Sequence, residues 1–131
     1  MSQESLKILR DASRLANSED RVAATLKLKK VPEAKLVSTF NEALDTGDTW
    51  TDIVAQASAS LELKSMVPKL LETAEKKENW YVFAALGQLA DTAQRPLVEA
   101  IYSKNLTQLE SEQKMLVLDQ MAVWKTKIPF E

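Results

Sequence analysis

The chain has no cysteine and no histidine, and only 2 glycines and 4 prolines in 131 residues. Without cysteine there is no disulfide and no thiol nucleophile, a composition that suits a reducing cytoplasm. Without histidine the commonest general base is missing, and with both absent a zinc site loses its best ligands. So few glycines and prolines cannot supply the turns of a small β-sandwich. Nor is there a glycine-rich phosphate loop, because Gly47 and Gly87 stand alone. The 19 acidic and 17 basic residues leave a formal charge of −2, whereas a dedicated nucleic-acid binder shows a basic excess. No apolar run approaches the roughly 20 residues of a membrane span. The opening Met1-Ser2-Gln3-Glu4 lacks the basic and apolar regions of a signal peptide. The expectations are a cytoplasmic protein with no cofactor and no metal, and with neither nucleic acid nor membrane as partner.

What is present is helix-forming. Hydrophobic residues make up 45% of the chain, enough to build a core, and Ala, Leu, Glu and Lys dominate. Leu6, Leu9, Ala12 and Ala16, widened by Ile8 and Leu15, predict a first amphipathic helix over 3–16. Ser18 is placed to cap a second helix that opens on Glu19-Asp20 and closes on Lys27, Lys29 and Lys30. Val31-Pro32 starts a third, buried through Leu36, Val37, Phe40, Ala43 and Leu44. Asp45-Thr46-Gly47-Asp48 then turns the chain. Thr49 or Asp48 caps a fourth helix through Trp50, Ile53, Val54, Ala57 and Leu61. Pro68 sets a new start near Ser65, with Val67, Leu70, Leu71 and Ala74 facing inward.

The stretch Trp80–Ala90 carries no charge between Glu78 and Asp91 and is apolar most of the way round. Such a helix is enclosed by others, and it is expected at the centre. Asp91 or Thr92 caps the next helix, with Pro96 in its first turn and Leu97, Val98 and Ile101 buried. Thr107-Gln108-Leu109-Glu110 has the form of a capping box. It predicts a last helix through Met115, Leu116, Leu118, Met121 and Ala122 to about Trp124. No linker intervenes, so the expectation is a single helical domain over 1–124 and a short tail over 125–131 carrying Ile128, Pro129 and Phe130.

A shift of 28 residues lays Pro68 on Pro96, Val54 on Val82, Ala57 on Ala85, Leu61 on Leu89 and Leu70 on Val98. Recurrence over a helix–turn–helix unit is the signature of stacked hairpins. The run Ala84-Ala85-Leu86-Gly87-Gln88-Leu89-Ala90-Asp91, followed by Pro96-Leu97-Val98-Glu99-Ala100, resembles a HEAT-like repeat. The match is good over 80–104 and partial over 50–76. It departs from that family at Tyr81-Val82-Phe83, where Arg is usual, and at Ala90, where Gly is common. The resemblance implies an all-α fold of seven to eight short helices stacked as helical hairpins, an α-solenoid fragment, that presents a surface to a partner. A compact helical bundle is the alternative.

Catalysis would have to rest on carboxylates, Lys, Tyr or Ser. Asp45-Thr46-Gly47 is the tripeptide of aspartic proteases, whose paired carboxylates share a proton between β-loops. Here it lies between two predicted helices and reads as a helix-ending turn. Glu110 and Glu112, two apart on a helix, point to different sides. Lys27-Leu28-Lys29-Lys30 is a solvated helix C-terminus, and Ser58-Ala59-Ser60 either allows close helix approach or marks a fraying end. The aromatics Trp50, Trp80, Tyr81, Tyr102 and Trp124 sit at or near helix ends, and Trp and Tyr dominate interface hot spots. Trp50 and Trp80 also suit the core between hairpins, while Tyr81, Tyr102 and Phe130 are expected as surface anchors. The function expected is a non-catalytic module that binds one other protein, as an inhibitor, immunity protein, chaperone or adaptor. A self-assembling structural subunit, stacking through the first and last helices, is the alternative, and a carboxylate-based enzyme or enzyme subunit ranks last.

Overall fold

A computed structural model describes residues 1–17 and 20–127. It is all-α, with eight α-helices and no strand among the described residues. They are α1 (Gln3–Ala16), α2 (Arg21–Lys29), α3 (Glu33–Asp45), α4 (Thr51–Ser60), α5 (Val67–Lys76), α6 (Trp80–Leu89), α7 (Arg95–Asn105) and α8 (Ser111–Lys127). Short 3-10 turns, Lys64–Met66 and Leu106–Gln108, precede α5 and follow α7.

The helices pack in a chain of neighbours. α2 lies on α1, α1 on α4, and α4 on α6, while α7 and α8 close over the far side of α6. α6 is the hub, touching α4, α5, α7 and α8, and it buries Val82, Phe83, Ala85, Leu86 and Leu89. α4 packs on it and buries Val54, Ala55, Ala57 and all of Ser58. Small side chains permit that close packing, and the Gln88 side-chain amide donates to the Ala59 carbonyl at 2.8 Å to satisfy the end of α4.

Several helix ends differ from the sequence expectation, each for a local reason. Ser2, not part of the expected pattern, caps α1 by accepting from the Ser5 N–H at 3.1 Å. α1 turns Ile8, Leu9, Ala12 and Leu15 inward and leaves Leu6 at the surface. α2 begins at Arg21 rather than Glu19, because Asp20 takes a left-handed φ of 44° that Asp tolerates; Ser18 and Glu19 lie outside the described residues. Neither Asp48 nor Thr49 caps α4 by its side chain, since the Asp48 carboxylate accepts from Lys77 at 2.8 Å instead. Asp91 does organise the start of α7. Its Oδ1 accepts from the Gln94 N–H at 2.9 Å, and the Gln94 Oε1 accepts from the Asp91 N–H at 3.0 Å. Leu97, expected in the core, points outward on α7.

The capping box at Thr107–Glu110 does not form. Leu109 is extended and buried, which stops a helix from starting at Thr107. α8 begins four residues later, where the Gln113 Oε1 accepts from the Glu110 N–H at 3.2 Å. It runs to Lys127, so residues 125–127 continue the helix where a tail was expected. Ile128, Pro129 and Phe130 lie outside the described residues.

Candidate protein-docking surface

The surface is built on α6. Asn79 caps that helix, its Oδ1 accepting from the Val82 N–H at 3.1 Å, while its side-chain amide donates to Asp52 at 2.7 Å and ties the cap to α4. The first turn therefore presents Trp80 and Tyr81 in fixed directions. Trp80 is half-buried against the core and Tyr81 is 43% exposed. One turn and two turns further on, Ala84 and Gly87 keep the outer side of α6 low. Across them lies α8, and between the two helices runs a groove of about 220 Å³ lined by Trp80, Ala84, Gly87, Leu116 and Gln120.

An aromatic stack holds α8 in that position. The Tyr102 ring meets Phe83 edge-on, with centroids 5.8 Å apart, and lies parallel to Trp124 at 6.3 Å. The Arg95 guanidinium covers the Trp124 ring at 5.6 Å, a cation–π contact. The Tyr102 hydroxyl donates to the Phe83 carbonyl at 2.6 Å, and burial pushes its pKa well above the ordinary 10.0.

Tyr102 and Trp124 are buried, which corrects the expectation of Tyr102 as a surface anchor. Their rings latch α7 and α8 onto α6 and are not free to meet a partner. Trp50, half-buried at the start of α4, fills the core. Of the aromatics singled out in the sequence and described, Trp80 and Tyr102 line the groove and Trp124 stacks on Tyr102, whereas Tyr81 alone is exposed.

The apolar residues of α8 were not separated by their pattern. Only Val117 and Trp124 are buried, with Met121 half-buried, whereas Met115, Leu116, Leu118 and Val123 are exposed. At about 3.6 residues per turn, no single face can hold Met115, Leu116, Val117 and Leu118 together. That contiguity is the signal that was there to find. Exposed apolar side chains also mark α2, at Val22 and Leu26.

Asp45 ends α3 and pairs with Lys69, and Asp48 pairs with Lys77, so the turn around Gly47 is tethered to α5. Gly47 itself takes a φ of +125°, which explains glycine at that position. Among the described residues, no group of three or more acidic side chains is placed to hold a metal ion, and no helix is long and apolar enough to cross a membrane. Comparison with protein-family models, with curated proteins and with solved structures gives no match.

Proposed function

We propose that this chain is a non-catalytic, cytoplasmic protein-binding module, a HEAT-like stack of helical hairpins that docks one protein partner over the α6/α8 groove. The observation that carries the reading is the conjunction of Leu116, exposed on one wall, with Trp80 on the other and Tyr81 beside it. Exposed apolar side chains beside a half-buried Trp are what a partner's anchoring residue requires.

The helical-hairpin part of the reading is supported by the helix bounds. A 28-residue shift takes α4 (Thr51–Ser60) to 79–88, against Trp80–Leu89 for α6. The same shift takes α5 (Val67–Lys76) to 95–104, against Arg95–Asn105 for α7, and both α5 and α7 carry Pro in the first turn. Val54 and Val82, Ala57 and Ala85, and Leu70 and Val98 are buried in both copies. An inhibitor, an immunity protein, a chaperone or an adaptor would each use such a face.

The test is affinity capture from the source cell with the native mass of the complex. Wild type should retain one foreign protein in fixed stoichiometry. Leu116→Glu should lose it and Tyr81→Ala should weaken it, while Lys64→Glu, remote from the groove, should bind as wild type does. Capture indifferent to Leu116→Glu removes the groove as the docking face, and no stoichiometric capture removes the reading.

A further inference from the structure

Among the described residues, no further helix covers the outer side of either end of the helix stack. α2 packs chiefly against α1, and α8 packs against α6 and α7, so these two helices lie at opposite ends of the succession of contacts. The expectation that the first helix would form an end fails, because α1 is covered on both sides by α2 and α4. The end faces can be read by helical angle, at about 100° per residue. On α2 the buried pair is Ala24 and Leu28, and directly opposite them stands Leu26, 58% exposed, beside Val22, 75% exposed. On α8 the buried pair is Val117 and Trp124, and opposite them stands Met115, 65% exposed, beside Leu118, 48% exposed. An α-solenoid normally closes each end with a polar outer face; here each end puts its large apolar side chains outermost.

The charges around the two patches are opposite in sign. Lys29 lies on the Val22 stripe of α2, Lys30 lies beside Leu26, and the helix contains no acidic residue. On α8, Glu112 and Asp119 share a stripe seven residues apart, next to Met115. Among the described residues these four charges make no ion pair within the chain. The lysines close the C-terminal end of α2 and Glu112 opens α8. Laid antiparallel, the two helices bring Lys29 and Lys30 to Glu112 while Leu26 and Val22 cover Met115 and Leu118. Antiparallel alignment also sets the negative end of one helix dipole beside the positive end of the other.

We propose that the α2 face of one copy docks on the α8 face of a second copy, head to tail. A joint between two different faces leaves one of each unused on every dimer, so assembly continues as an open stack or closes as a ring. This goes beyond the groove proposal and uses a different side of α8, since Leu116 is not on the Met115–Leu118 stripe.

The full chain is to be followed by sedimentation velocity over a range of concentrations, at low and high ionic strength. Wild type should show a mean mass rising past twice the 14.7 kDa of the monomer, with the rise suppressed by salt. Leu26→Glu and Met115→Glu alter exposed positions, so the fold is retained, and each variant alone should be monomeric. Mixed, they should form a 1:1 heterodimer and nothing larger, through the intact α8 face of the first and the intact α2 face of the second. Leu116→Glu should assemble as wild type does, which keeps this test separate from that of the groove. A wild type that stays monomeric at every concentration overturns the proposal. So does association that survives Leu26→Glu, which would mean α8 pairing with α8, and so does a mixture that stays monomeric.

Discussion

The Tyr102 hydroxyl lies 2.7 Å from the point where a Cβ on residue 87 would stand, and it reaches the Phe83 carbonyl at 2.6 Å across that gap. Gly87 is thus the residue that lets a tyrosine from α7 touch the backbone of α6. Adding a methyl has two opposed effects. Alanine gains up to about 1 kcal/mol in helix propensity, while overpacking costs roughly 1–3 kcal/mol. Tyr102 is wedged between Phe83 and Trp124 and cannot yield cheaply, so Gly87→Ala is expected to destabilise. In a Tyr102→Phe background the colliding atom is gone, and the same substitution should be neutral or stabilising. Urea denaturation of the four proteins in the cycle measures this. Additive costs would mean that the collision is relieved by movement elsewhere.

Tyr102 also sets the stability of the chain in alkali. Its folded-state pKa is raised by burial above the ordinary 10.0, so the folded chain keeps a proton that the unfolded chain releases. The stabilisation is complete below pH 10 and declines as pH rises beyond it, by at most about 1.4 kcal/mol per pH unit for one group. Lys69 and Lys77 are raised by Asp45 and Asp48 respectively and push in the same direction. Tyr102→Phe removes only the phenol contribution. It should be less stable than wild type at pH 7, by about 1 kcal/mol for the lost hydrogen bond, yet show the shallower decline above pH 10. Parallel declines would mean that the hydroxyl reaches solvent.

Much of the fold was legible because local chemistry and tertiary packing agree along most of the chain. The charge-free run from Trp80 to Ala90 could only be enclosed, and α6 is the hub of the structure. Gly47 and Pro68 punctuate the helices where they were expected to. Failures came where a side chain had two possible partners. Asp48 serves Lys77 rather than α4, and Leu109 is buried at the expense of the Thr107 capping box. The surface proposed for docking was hardest to see. Tyr102 has the composition of a hot-spot residue, but the absence of a Cβ at residue 87 draws it inside, whereas the apolar residues that stay outside are aliphatic and look like core.

The ion pairs around the Gly47 turn should be worth little and be sensitive to salt. Lys77 is raised by its hydrogen bond to Asp48, and Glu72 is lowered chiefly by Lys76, yet all are at the surface. For Glu72 the stabilisation is present above its ordinary 4.5 and is lost as the pH falls towards its lowered value. A double-mutant cycle on Asp48→Ala and Lys77→Ala should give a small coupling at low ionic strength. That coupling should vanish at about 1 M salt, where the Debye length is about 3 Å. Coupling that persists there would show the pair to be shielded from solvent.

Trp124 should decide whether α8 is part of the fold or only attached to it. The helix is fastened by Val117 and by Trp124 seven residues later, with Met121 half-buried between them; most of its other apolar side chains face outward. Trp124→Ala removes the stacking on Tyr102 and the Arg95 contact together, and a buried Trp→Ala change costs about 3–5 kcal/mol. α4 and α6 pack on each other and bury Val54, Ala57, Val82 and Ala85, and neither the Trp124 stacking nor its Arg95 contact involves a residue of these two helices. The expected outcome is therefore local. In hydrogen exchange the amides of α8 should lose protection while those of α4 and α6 keep most of theirs. Trp124→Phe, which retains a ring over Tyr102, should recover much of the loss. Protection that falls equally in α4, α6 and α8 would mean that the latch is a member of the cooperative core, and that no partner could bind by displacing α8 alone.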